Sequence, residues 1–258
     1  MIKIIVFIFL ILSIIIFGVD FYFYMLNRYC RYHIGRWNNY DEWLSNVKNI
    51  SIKWTRKTPV VKMTDNNRLM VIDMINGKYK NNNIQSWQLG GLLLGLCECN
   101  DKEAKEAINK LIIKLIDKDG NWVTKPTNVD CGLLSYAILK NSKDYKKIKP
   151  AMDYSIGIIE KNICEDGMIA YTSDKNVDER YVDTLGFVCP FLQLYSNIYA
   201  EEKFSKISLE QINQYNKYGL LHDTYLPNHA YNPKNKLPLG VYGWGRGVAW
   251  YVIGLIDT

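Results

Sequence analysis

Three short blocks carry the residue types that could do chemistry together. Asp130 stands in Asn-Val-Asp-Cys-Gly-Leu-Leu, Asp183 in Tyr-Val-Asp-Thr-Leu-Gly-Phe, and Arg246 in Gly-Trp-Gly-Arg-Gly-Val-Ala-Trp. Two carboxyls at one mouth drive their pKa values apart and yield one protonated acid beside one anion. An arginine fork suits a carboxylate ligand. The indoles of Trp244 and Trp250 suit the apolar face of a sugar or base. Each block also has a purely structural reading. An Asp before an apolar run is a helix N-cap, and the Arg block is a glycine turn closed by buried Trp. His222, in Gly-Leu-Leu-His-Asp-Thr-Tyr, is a further polar candidate, or else a surface histidine bonded to Asp223. His229 reads as a loop residue. Trp87, ahead of Gly90-Gly91, reads as a core Trp packed on small residues or as a sugar platform.

The elements that must position these groups are helical. Ala104, Ala107, Ile108, Leu111, Ile112, Leu115 and Ile116 follow the spacing of one buried helix face over Asp101 to Ile116. Further helices are predicted near Asp41 to Val47, from a cap at Asp65 to Asn76, from a cap at Ser86 to Cys97, and over Val129–Leu139, Asp144–Ile163, Val182–Tyr199 and Ser208–Lys217. A last helix begins near Gly247. Pro190 either kinks the Asp183 helix or marks a later start. Few strands are expected. Three longer loops share a format of glycine turn, short apolar piece and polar residue at a helix mouth. They are Asp119-Gly120 to Asp130, Asp166-Gly167 to Asp183, and Gly219-Leu220 to Arg246, roughly 45 to 65 residues apart. That period predicts an array of helical hairpins. If the array closes into a toroid, Asp130, Asp183 and Arg246 fall on one rim.

Composition excludes several classes. The chain has 258 residues, 48% hydrophobic and 22% charged, with a net charge of +6. No dense basic stripe calls for nucleic acid. There is no phosphate-cradling loop, dinucleotide fingerprint, HExxH or GxSxG. The six Cys form no CxxC and no zinc spacing with the three His, so no metal site is expected. Ile4–Val19 is an apolar run that holds one Ser, Ser13, and one Gly, Gly18. Asp20 interrupts it before Phe21-Tyr22-Phe23-Tyr24-Met25-Leu26. With Asp20 at the interface, the run reaches the ~20 residues of a membrane span. It lacks a small-x-small cleavage site, which favours an uncleaved anchor. Lys3 and the α-amino group precede it; Arg28, Arg31 and Arg36 follow it and favour a cytoplasmic C-terminal part, with an exported domain on a signal anchor as the other orientation. The expected organisation is an anchor over 1–27, a juxtamembrane linker with a short helix over 28–62, and a helical toroid over 63–258.

Together, Trp87-x-x-Gly90, Val129-Asp130-Cys-Gly132, Tyr181-Val-Asp183-Thr-Leu-Gly-Phe-Val-Cys-Pro190-Phe-Leu, Gly219-Leu-Leu-His222 and Trp244-Gly-Arg246-Gly-Val-Ala-Trp250 resemble the unsaturated glucuronyl and rhamnogalacturonyl hydrolases, glycoside hydrolase families 88 and 105. The resemblance runs from about Asp65 to Thr258. It implies an all-α fold, an (α/α)6 barrel, here incomplete and preceded by the N-terminal transmembrane helix. It implies hydration of the 4,5 double bond of an unsaturated uronic acid, with oligosaccharide as substrate and no cofactor. By this resemblance Asp183 is the general acid and base, and Asp130 its partner. His222, Arg246, Trp250, Trp244 and Trp87 bind the sugar. Family members continue for about a hundred residues beyond the Trp-x-Arg-Gly block. A non-catalytic or differently acting membrane-anchored relative in surface-polysaccharide biosynthesis or export is the second reading.

Overall fold

The computed structural model describes residues 2–33, 37–62, 68–78, 81–99, 101–172 and 178–258. Arg36 and Asp65 lie outside them. The chain forms two compact units, 1–84 and 85–258.

The first unit opens with α1 (Ile2–His33), the one helix among the described residues long and apolar enough to cross a membrane. It is followed by α2 (Tyr40–Arg56), β1 (Val60–Lys62), α3 (Met70–Ile75) and β2 (Asn81–Asn83). The helix predicted near Asp41 to Val47 runs nine residues further because Ile50 and Trp54 continue the apolar spacing of Leu44 and Val47. α3 is a single short helix whose N-cap is Leu69. Asp20 sits within α1, and its carboxylate accepts the backbone N–H of Leu69 at 2.6 Å and of Met70 at 3.0 Å. The Asp in the apolar helix thus satisfies the orphan donors of α3.

The second unit is a helical array. It comprises α4 (Ser86–Cys97), α5 (Lys102–Leu115), α6 (Cys131–Asn141), α7 (Tyr145–Lys161), α8 (Val182–Tyr199), α9 (Glu202–Tyr218) and α10 (Gly245–Ile256). α4 packs on α6, α6 on α8, and α8 on α10, while α5, α7 and α9 pack behind them. Burial follows the layers. Every residue of α6 from Cys131 to Leu139 is buried, as is every residue of α8 from Val182 to Leu192. α5 buries only the face of Ala104, Ala107, Ile108 and Leu111. A helix buried all round belongs inside, and an amphipathic one outside. α8 continues through Pro190 as one helix.

Glycines set the spacing of the inner layer. A Cβ at Gly90 would lie 2.9 Å from the Leu133 carbonyl of α6. One at Gly132 would lie 2.4 Å from the Phe187 oxygen of α8, and one at Gly186 would meet Trp250 of α10 at 2.6 Å. Each inner helix therefore touches the next through a residue with no side chain.

The three sequence loops keep their common format. Antiparallel bridges Ile116–Trp122, Ile163–Ile169 and Leu220–Pro227 close them after α5, α7 and α9. Gly120 and Gly167 hold φ of +83° and +78° in the first two. The third differs, because Gly219 caps α9 at φ −99° and Tyr225 takes the left-handed position. α9 begins six residues before the predicted Ser208. Its buried face carries Ser208 and Gln211, which hide the apolar period. Both are paired: Ser208 donates to the Cys189 carbonyl at 2.9 Å, and Gln211 bonds Ile169 and Gly167 of the second loop.

Strands are more prominent than expected. β3 (Arg180–Tyr181), β4 (Asn228–Tyr231) and β5 (Pro238–Tyr242) form an antiparallel sheet in the order β3-β4-β5.

Gly132→Ala is expected to lower the stability of the array by about 1–3 kcal/mol, because the added methyl enters the α6–α8 backbone contact. Gly91→Ala, one residue from a contact glycine but with nothing within 4 Å of its Cβ, is expected to stabilise by about 0.5–1 kcal/mol. Urea denaturation of the two variants checks the pair. Equal effects would contradict the role of close approach.

Candidate active site

The N-terminal ends of the four inner helices carry Trp87, Asp130, Asp183 and Arg246. Glycine-mediated packing brings them together. α4 opens with a capping box, in which Gln85 and Gln88 bond each other's backbone N–H. Asp130 precedes α6 but makes no cap bond to it. Its Oδ2 instead accepts the Trp87 N–H of α4 at 3.2 Å. Asp183 lies inside the first turn of α8, whose N-cap is Tyr181. Neither carboxylate caps its own helix.

Asp183 is 8% exposed, and its Oδ2 has no hydrogen bond. The Nε2 of His229 lies 3.6 Å from that oxygen, and the Nε of Arg246 lies 3.9 Å from Oδ1. Burial pushes the Asp183 carboxyl above its ordinary value, against the pull of Arg246 and His229. Burial also pushes Asp130 up, against the backbone N–H groups of Trp87 and Ser86. The leading cause in both is loss of water rather than repulsion between the two carboxylates. Both carboxyls keep a proton to higher pH than an exposed Asp does.

Around these groups runs a chain of touching rings. Trp250 meets Trp87 at 5.6 Å and Phe187 at 4.7 Å, and Phe187 meets Tyr171 at 6.0 Å. Tyr171 meets Tyr181 at 5.7 Å, Tyr181 meets His229 at 5.1 Å, and His229 meets Trp244 at 5.1 Å. The Arg246 guanidinium lies 4.0 Å over the Trp244 ring. The arc begins and ends on the α10 block, with Arg246 between its two Trp. Trp250 is buried behind Trp87 and Phe187, whereas Trp87 and Trp244 keep part of their surface open.

The histidine beside Asp183 is His229. His222 is exposed in the turn that Leu221 and Leu226 close. The loop expected around His229 is strand β4, paired to β3 through Tyr181–Ala230. The β4–β5 register shifts between Asn228 and Ala230, so that His229 faces a bulge. Gly240 in that bulge holds φ +75° and packs against the His229 Cβ. Bulges re-aim side chains next to sites. Sequence reasoning also missed Phe187, Tyr171 and Tyr181. Tyr181 donates its hydroxyl to Glu179, and that bond leads in raising its pKa to about 12.

The raised Asp183 pKa links to stability. A carboxyl whose folded pKa exceeds its unfolded 3.8 destabilises the fold as pH rises through the folded value. Asp183→Asn removes that cost. Its melting temperature is expected to exceed the parent's at pH 7, with the gain shrinking as pH falls toward 4. A melting temperature below the parent's at pH 7 would contradict the burial argument.

The model of Glycosyl Hydrolase Family 88 matches residues 55–258. No curated protein matches the chain. Among solved structures it is similar to a family 105 glycoside hydrolase of C. acetobutylicum ATCC 824, with TM-score 0.58, 21% identity, and coverage of 73% of this chain and 57% of that one. It is similar to an unsaturated glucuronyl hydrolase specific for heparin, with TM-score 0.55, 16% identity, and coverage of 85% and 63%. A third is the unsaturated glucuronyl hydrolase of Bacillus sp. GL1, responsible for the degradation of glycosaminoglycan, with TM-score 0.51, 15% identity, and coverage of 82% and 59%. The chain thus spans about three fifths of the length of these structures, and at such identities the likeness establishes the fold. The helical array has the six-hairpin toroid fold over the part it spans, and by the match over residues 55–258 the chain belongs to Glycosyl Hydrolase Family 88.

Proposed function

We propose that the chain is a glycoside hydrolase that hydrates the 4,5 double bond of an unsaturated uronyl sugar. The observation that carries this reading is the Asp183 carboxyl, buried with an unbonded oxygen between His229 and Arg246 and with its pKa raised. A 4,5-unsaturated uronate is an enol ether, and its carbon 4 is the atom an acid protonates. Asp183 gives its proton there. The π bond breaks, positive charge develops at carbon 5 and the ring oxygen, and water adds to carbon 5. The Asp183 carboxylate takes the water's proton and is restored. The hemiketal opens, and the anomeric carbon releases its partner sugar. Only water is consumed, so the step needs no cofactor.

The remaining groups serve that step. Arg246 pairs with the uronate carboxylate, held over Trp244 and beside Asp183. Asp130, fixed by the Trp87 N–H, orients the water. Trp87 and Trp244 offer ring faces to the sugar. Trp250 acts through them as a positioning residue. His229 supports the Asp183 oxygen, whereas the resemblance names His222 among the sugar-binding residues. The substrate class is the unsaturated oligosaccharide that a polysaccharide lyase leaves. We also propose that α1 anchors the protein in a membrane. The apolar run and the basic residues after it support that reading, and by the positive-inside rule they favour a cytoplasmic catalytic part.

Loss of absorbance of the conjugated double bond in an unsaturated uronyl disaccharide reports the reaction. The full chain is expected to give it, and Asp183→Asn to lose it by about 10²–10⁴-fold. His229→Ala is expected to cost more than His222→Ala. Wild-type rates in Asp183→Asn would remove Asp183 from the role. For the anchor, the full chain is expected to stay with the membrane fraction after alkaline extraction. Recovery in the soluble fraction would contradict the span.

A further inference from the structure

Tyr171 is the one phenol of the ring arc whose hydroxyl has no hydrogen-bond partner among the described residues. Its ring is fixed on two sides, by Phe187 at 6.0 Å and Tyr181 at 5.7 Å. Its backbone belongs to the second loop, which Gln211 of α9 clamps through Ile169 and Gly167. The side chain is half-buried, so its oxygen is neither sealed in the core nor free on the surface. Tyr181, the neighbouring phenol, already spends its hydroxyl on Glu179.

The charges around Tyr171 are those of the site. Burial, then Asp130, then Asp183 push its pKa up, while Arg246 pulls it down. A phenol that feels both carboxylates stays protonated, so what it offers a ligand is an O–H donor. The proposed chemistry uses Asp183 as acid, Asp130 to orient water, Arg246 for the carboxylate and two indoles as stacking faces. It leaves the hydroxyls of the sugar without a directional partner. A neutral donor on a rigid ring fits that need. It can accept the sugar's orientation without competing for the carboxylate that Arg246 holds.

We propose that the Tyr171 hydroxyl donates a hydrogen bond to an oxygen of the bound uronyl sugar and so fixes its orientation between Asp130 and Asp183. The proposal rests on the uronyl-site reading, and binding separates the two. The parent for the test is the full chain carrying Asp183→Asn, which holds the ligand without turnover. An unsaturated uronyl disaccharide is titrated against it, read by the fluorescence of the Trp in the arc. The same titration is run with Tyr171→Phe added, a change that keeps both ring contacts. Loss of the donor is expected to weaken binding about tenfold, the equivalent of ~1.4 kcal/mol, with the thermal transition unchanged. Equal affinities would overturn the role of Tyr171 and leave the site reading standing. A Tyr171→Phe chain that loses its thermal transition would make the hydroxyl structural and overturn the proposal as well. Absence of binding to either chain would overturn the uronyl-site reading, and Tyr171 with it.

Discussion

The close approach of the inner helices is the constraint on which the site depends. Gly90, Gly132 and Gly186 each sit where a methyl group would run into the neighbouring helix. Removing those side chains draws the helix mouths together, and the polar residues at the mouths come with them. Asp130 illustrates the consequence. It reaches the first turn of α4 rather than its own helix, because α4 and α6 meet at Gly90. The outer helices then supply what the inner ones cannot, burial of their remaining faces and anchorage of the loops. Gln211 of α9 does both, lying in the core while it holds the turn that leads to Tyr171.

The same packing sets the electrostatics. Two carboxyls are taken out of water at the rim, and the few donors that reach them do not offset the burial. Groups that cost stability in this way mark sites where the fold accepts strain for chemistry. Asp183 fits that description: one oxygen is unbonded, and the His229 and Arg246 side chains stand at 3.6 and 3.9 Å, close but beyond a hydrogen bond. A proton held there is available to a ligand rather than locked in a network.

Much of the scaffold was legible from the residues. α8 spans the predicted Val182–Tyr199, and α5 follows the apolar spacing of its one buried face. The loop format was legible too, since a turn closed by a bridge leaves a local signature of glycine and aspartate. The β4–β5 hairpin was not. Its strands are short and carry Asn and Pro, and its bulge breaks the alternation that marks a strand. That miss explains why His229 reads as a loop residue in the sequence. Its place beside Asp183 is set by a pairing of β3 with β4 across about fifty residues. The aromatic arc was equally invisible, because a chain with 19 Tyr offers no spacing that distinguishes Tyr171 from a core tyrosine.

The proposed reaction turns on where the proton of Asp183 goes. Turnover of an unsaturated uronyl disaccharide in heavy water enriched in oxygen-18, followed by mass and NMR analysis of the product, reads this directly. Hydration across the double bond predicts deuterium on carbon 4 and oxygen-18 on carbon 5, with neither label incorporated by the Asp183→Asn chain. Oxygen-18 at the anomeric carbon with no deuterium on carbon 4 would mean ordinary displacement at the glycosidic bond, and would contradict it.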